Sequence, residues 1–87
     1  MSTEFEIEGF SLVGGGLCPE QYDVLKDGKQ VGYLRLRHGT FRVTYPDVGG
    51  EILYVSYPEG DGAFNSDERD FYLCEAVKAI RRRLEKP

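Results

Sequence analysis

Tryptophan is absent from this chain and histidine occurs once, at His38, so chemistry that depends on a histidine pair or a histidine-rich metal shell has almost nothing to draw on. Cysteine occurs twice, as Cys18 and Cys74. Two cysteines are too few for a disulfide framework, and with one histidine they do not reach the four ligands of a structural zinc site. No metal and no cofactor is therefore expected. Both thiols are expected to be reduced, with Cys74 buried as a small hydrophobe.

Long apolar runs are missing as well, since nothing approaches the roughly 20 residues that span a bilayer. The stretch Met1-Ser-Thr-Glu-Phe-Glu-Ile-Glu8 is acidic and lacks the basic and apolar regions of a signal peptide, which makes the cytoplasm the expected compartment and a membrane partner unexpected. Positive charge is in deficit, with 11 Lys and Arg against 15 Asp and Glu and a formal net charge of −4. Nucleic-acid binding through bulk electrostatics needs a basic surface to displace counterions from phosphates, so it is disfavoured except through a local basic patch.

What the chain does have is enough to fold. Hydrophobic residues make up 40% and aromatics 13%, unlike a disordered chain, and 87 residues support one core rather than two. A single domain over residues 1–87 is expected. Glycine-rich punctuation at 14–16, 27–28, 38–39, 47–50 and 59–62 divides the chain into strand-length runs rich in Tyr, Val, Ile, Phe and Thr. The runs cover about 4–13, 20–26, 29–37, 40–45 and 51–57, with a break in the first near Gly9. This spacing predicts an antiparallel β-meander of four or five strands.

Asp27-Gly28 is a strong hairpin signal, because a two-residue type I′ loop needs positive φ at both central positions. It predicts Lys26 opposite Lys29 and Val24 opposite Val31. His38-Gly39 predicts a second tight turn, with Arg37 opposite Thr40, Leu36 opposite Phe41, Arg35 opposite Arg42 and Leu34 opposite Val43. Strict alternation would then send Val31 and Tyr33 away from the core face, and a bulge at Gly32 resolves the conflict by switching the phase. From Asn65 the apolar period changes to 3.6, with Leu73, Val77, Ile80 and Leu84 on one stripe, which predicts a helix over about 66–84. Asn65 and Glu68 have capping-box spacing, and Arg81, Arg82 and Arg83 suit the negative end of the helix dipole. The stripe must pack on one face of the sheet, so the fold class is α+β.

Most motifs dissolve on inspection. Gly14-Gly15-Gly16 leads to Leu17-Cys18-Pro19 rather than to the Gly-Lys-Ser/Thr and helix of a phosphate-binding loop, and reads as a flexible connection. The segment from Asp61 has Ala63, Ser66 and Tyr72 where a calcium loop needs a ligand, a glycine and a bidentate glutamate. Nucleophilic catalysis needs a base beside the nucleophile, and His38 sits at a hairpin tip. The carboxylates have no spacing that forces two together for acid/base work. The chain is accordingly not expected to be an enzyme.

Arg35, Arg37 and Arg42 remain. All three point to the sheet face opposite Leu36 and Phe41, and like charges facing across strands destabilise unless something compensates. One compensation is internal, since extending the Asp27-Gly28 hairpin places Glu20 opposite Arg35, a pairing that a bulge at Gly32 would alter. The other is an anionic partner, with Tyr33 or Tyr54 supplying aromatic surface. Arg and Tyr are residue types that often carry interface energy. The expected function is a small binding or regulatory module acting through a protein contact, with a nucleic-acid binder using the Arg-rich face as the alternative.

The run Cys18-Pro-Glu-Gln-Tyr-Asp-Val24, the run Gly32-Tyr-Leu-Arg-Leu-Arg-His-Gly39 and the run Tyr57-Pro-Glu-Gly-Asp-Gly62 resemble small uncharacterised proteins of bacteria and their mobile elements or phages. The similarity covers residues from about 14 to 84. It implies a bacterial, cytoplasmic setting and carries over no catalytic or binding residue.

Overall fold

A computed structural model describes residues 3–16 and 19–86. Six strands and one helix follow in order: β1 (Thr3–Ile7), β2 (Phe10–Gly15), β3 (Glu20–Lys26), β4 (Lys29–Arg37), β5 (Thr40–Tyr45), β6 (Glu51–Ser56) and α1 (Arg69–Glu85). The strands form a single antiparallel sheet in sequence order, a six-stranded meander. The architecture is therefore α+β as expected, with six strands rather than four or five. The first expected run is two strands because Glu8 and Gly9 turn the chain with φ of 50° and 87°. Asp27-Gly28 and His38-Gly39 make the expected tight turns, with positive φ at all four residues.

Alternation sends one face of the sheet toward α1. Phe10 and Leu12, Tyr22 and Val24, Leu34 and Leu36, and Phe41 and Val43 are buried there against Leu73, Ala76, Val77 and Ile80. Leu84, at the end of the predicted stripe, is exposed. Phe64 plugs one end of this core with its ring 4.9 Å from that of Phe41 and stacked on Tyr72 at 5.7 Å. Phe71 projects outward. Cys74 is a free, half-buried thiol rather than a buried one, and Cys18 lies outside the described residues.

The expected Val24–Val31 pair does not form. Val24 faces Gly32 and Leu25 faces Gln30, so the unpaired residue of the bulge is Val31, one position before the glycine expected there. The bulge turns both Val31 and Gly32 inward. Gly32 is needed for the helix, because a Cβ at this position would run into the Ile80 side chain, whose Cγ1 would lie at 3.1 Å. A second glycine reading also changes. Gly14 and Gly15 belong to β2 rather than to a flexible loop, and a Cβ on Gly14 would lie 2.9 Å from Tyr22 Cα on β3.

The helix begins at Arg69, three residues later than expected, after a turn over 66–68. Half of the anticipated capping box is present. The Glu68 carboxylate accepts the Asn65 N–H at 2.9 Å, while no side chain caps the helix. Glu68 also accepts the N–H groups of Glu59 and Gly60 at 3.0 and 2.8 Å, folding the 59–65 loop around itself. Burial works against its charge, but these three donors outweigh it and hold the carboxyl below its ordinary pKa. The same loop crosses the end of the sheet, where Glu20 N–H donates to Gly62 O and Gly39 N–H to Asp61 O.

Candidate functional site

The face away from α1 is uncovered, and the register determines what it shows. Arg35 and Arg42 are directly opposed across β4 and β5, and Arg37 lies opposite Thr40, as the His38-Gly39 turn requires. Tyr33 shares this face and donates its hydroxyl to Gln21 Oε1 at 2.5 Å. Arg37 and Arg42 are exposed and Arg35 is half-buried. Together with His38, these side chains line an open groove of about 590 Å³, a volume within the ~300–1,000 Å³ usual for ligand sites.

The groove has an apolar wall that sequence reasoning missed. Asp47 folds the β5–β6 connection by accepting the Val48 N–H at 2.6 Å on its carboxylate and the Gly50 N–H at 3.0 Å on its carbonyl. Gln30 ties the same carboxylate to the start of β4 at 3.1 Å. This brings Val48, 63% exposed, beside Ile52, 56% exposed, along the groove. The available signal was a valine in an otherwise polar, glycine-rich turn, where no core demands it.

Internal compensation of the arginines is overturned. Gln21, not Glu20, stands opposite Arg35. Glu20 is on the other face, 2% exposed, where it receives Arg69 Nε at 2.8 Å, the Phe64 N–H at 2.9 Å and the Tyr22 hydroxyl at 2.5 Å. The displacement follows from the bulge at Val31, which shifts the β3–β4 register by one residue. Among the described residues no carboxylate lies within ion-pair distance of Arg35, Arg37 or Arg42. The contrast with the helix is sharp, because Arg69, Arg81 and Arg83 each pair with a carboxylate, Glu20, Glu8 and Glu51 respectively. Arg37 Nε donates to His38 Nε2 at 3.2 Å, and Arg35 Nε is buried without a hydrogen-bond partner among the described residues. A buried unsatisfied donor costs about 1–3 kcal/mol.

Tyr54 does not join this site. Tyr54 pairs with Val43, which faces the helix, so its ring turns to that side and meets Phe41 at 6.2 Å, while Leu53, the extra residue of a second bulge, leaves Ile52 opposite Thr44 on the groove face. Four of the five residues singled out from sequence therefore come together, and the fifth belongs to the core.

Among the described residues there is no cluster of three or more His, Cys, Asp and Glu side chains able to hold a metal, and no helix long and apolar enough to cross a membrane. No family model matches the chain, and no curated protein or solved structure proved similar to it. Function has to be argued from the groove itself.

Proposed function

We propose that this domain is a small non-enzymatic binding module whose open sheet face docks an acidic segment of a partner protein. The observation that carries the reading is the set of three arginines, gathered in one groove with no carboxylate beside them among the described residues. Facing guanidinium groups repel in the free protein, and an acidic partner converts that repulsion into charge-assisted hydrogen bonds. Val48 and Ile52 add apolar surface next to the charge, the mixture from which interface hot spots are made. The non-enzymatic part rests on the lining, which among the described residues contains no carboxylate and no thiol, and whose histidine already accepts a hydrogen bond from Arg37.

The nucleic-acid alternative shares the arginines but needs a platform for base stacking. Among the described residues Tyr33 is the one tyrosine that lines the groove and no phenylalanine lines it, and the Tyr33 hydroxyl is tied to Gln21. The net charge of −4 adds a long-range penalty that grows with the charge of the ligand and so weighs more on a polyanionic strand than on a short acidic segment.

Titration of the ¹⁵N-labelled domain with a glutamate-rich peptide, and separately with single-stranded RNA, tests the choice. The expected result is peptide-induced shifts confined to β4, β5 and residues 46–52, absent in a folded Arg35→Ala/Arg42→Ala variant. Shifts that persist in the double variant would remove this face as the site. Saturation by RNA with a steep salt dependence, and none by peptide, would replace the proposal with its alternative.

A further inference from the structure

We infer that the groove is matched to a phosphate monoester carried on a side chain of the partner protein, an inference that rests on the docking reading above and narrows it. Directly opposed residues in an antiparallel pair have Cβ atoms about 4.5–5.5 Å apart, and next-but-one residues along a strand are about 6.8 Å apart. The side chains of Arg35, Arg42 and Arg37 thus start from positions close enough for three long guanidinium groups to converge on one small anion.

A glutamate brings a single negative charge and leaves most of that cluster unbalanced. A phosphodiester link of a nucleic acid is no better. A phosphate monoester carries about −1.5 to −2 at pH 7 and three strong acceptor oxygens, enough to engage more than one guanidinium at a time. Arg35 lines the groove, and its Nε has no hydrogen-bond partner among the described residues. Arg37 and Arg42 are exposed residues of the same groove.

The carrier is argued from the wall. Val48 and Ile52 lie on the same groove as the arginines and are more than half exposed. Free phosphate has no hydrocarbon to place against them, whereas a phosphorylated side chain and its flanking residues do. Charge and apolar surface side by side therefore favour a phosphorylated protein segment.

The test uses the intact domain and degenerate peptide libraries that differ only at one fixed central position: phosphoserine, phosphotyrosine, glutamate or serine. Binding is read by fluorescence anisotropy, with inorganic phosphate and a dephosphorylated RNA oligonucleotide as competitors. At least one phosphorylated library is expected to bind about tenfold or more tightly than the glutamate library. Arg35→Lys and Arg42→Lys, which keep the charge and lose the planar fork, are expected to remove most of that advantage. Val48→Ser and Ile52→Ser are expected to weaken the phosphopeptides without changing competition by inorganic phosphate.

Equal affinity for glutamate and phosphorylated libraries would overturn this inference while leaving acidic docking intact. Inorganic phosphate displacing the peptides at equal molar affinity, or insensitivity to the Val48 and Ile52 changes, would overturn the assignment to a side chain. Binding of none of the libraries, or of RNA alone, would overturn both readings. Thermal melts of each variant confirm that a loss of binding is not a loss of fold.

Discussion

Removal of the Glu20 carboxylate should be the most costly single polar change in the domain. Glu20 sits on β3 facing the core, yet it carries a charge, and it tolerates burial because four donors surround it: Arg69 through Nε at 2.8 Å and Nη2 at 3.1 Å, the Phe64 N–H and the Tyr22 hydroxyl. Breaking a buried ion pair from one side costs about 3–5 kcal/mol. Part of that is recovered here, because the Arg69 side chain is 35% exposed and its guanidinium can turn to water. The Tyr22 hydroxyl and Phe64 N–H are left without their acceptor, at about 1–3 kcal/mol each. Glu20→Ala should therefore cost about 3 kcal/mol, a large fraction of the ~4–13 kcal/mol typical for a domain of this size.

Urea unfolding at neutral pH, followed by far-ultraviolet circular dichroism, reads the difference directly, and a loss of less than about 0.5 kcal/mol would refute the reasoning. The same carboxylate sets an acid limit on the fold. Burial pushes its pKa up, but the hydrogen bonds from Arg69, Tyr22 and Phe64 and the Arg69 charge outweigh burial and leave it below the ordinary 4.5. A depressed folded-state pKa stabilises fully above the unfolded value, and the contribution disappears as pH falls through the folded one. Stability should thus decline below about pH 4.5 in the wild type, and Glu20→Gln should flatten part of that decline. Glu68, also depressed, supplies another part.

The legible parts of the fold were those governed by local rules. Positive φ at Asp27, Gly28, His38 and Gly39 is a demand that these residue types announce, and the second turn carries the β4–β5 register with it, including the opposed arginines. Glu8 announces nothing of the kind, since glutamate is a poor occupant of positive φ, so the first hairpin was read as a broken run. The two bulges were harder still. Alternation in β4 signalled that a phase switch was needed, but the choice of Val31 over Gly32 depends on Ile80 of the helix needing the space above Gly32. No turn signal fixes the β5–β6 register in the sequence, so neither the pairing of Tyr54 with inward-facing Val43 nor the bulge at Leu53 that puts Ile52 on the groove is legible there. Glu20 and Arg69 are 49 residues apart in sequence, and only the packed helix reveals them as partners. The bulge at Val31 puts Glu20 on the helix face, where Arg69 balances it, and leaves Gln21 opposite Arg35, so the uncompensated groove follows from a register shift that the sequence does not fix.

Gly32→Ala should destabilise the domain by about 1–3 kcal/mol in a thermal melt, because the added Cβ overpacks against Ile80, and shortening Ile80 to Val in the same chain should recover part of the loss. Val77→Ala and Ile80→Ala should each cost about 1–4 kcal/mol in denaturant melts, whereas Lys78→Ala on the exposed side should stay within about 0.5 kcal/mol; equal effects from all three would contradict the buried stripe. Arg42→Ala should leave stability unchanged or slightly higher, since Arg42 is exposed, has no carboxylate partner among the described residues and faces another arginine. A clear destabilisation, above about 1 kcal/mol, would mean that Arg42 serves the fold, and the case for keeping three arginines together for an external anion would lose its premise.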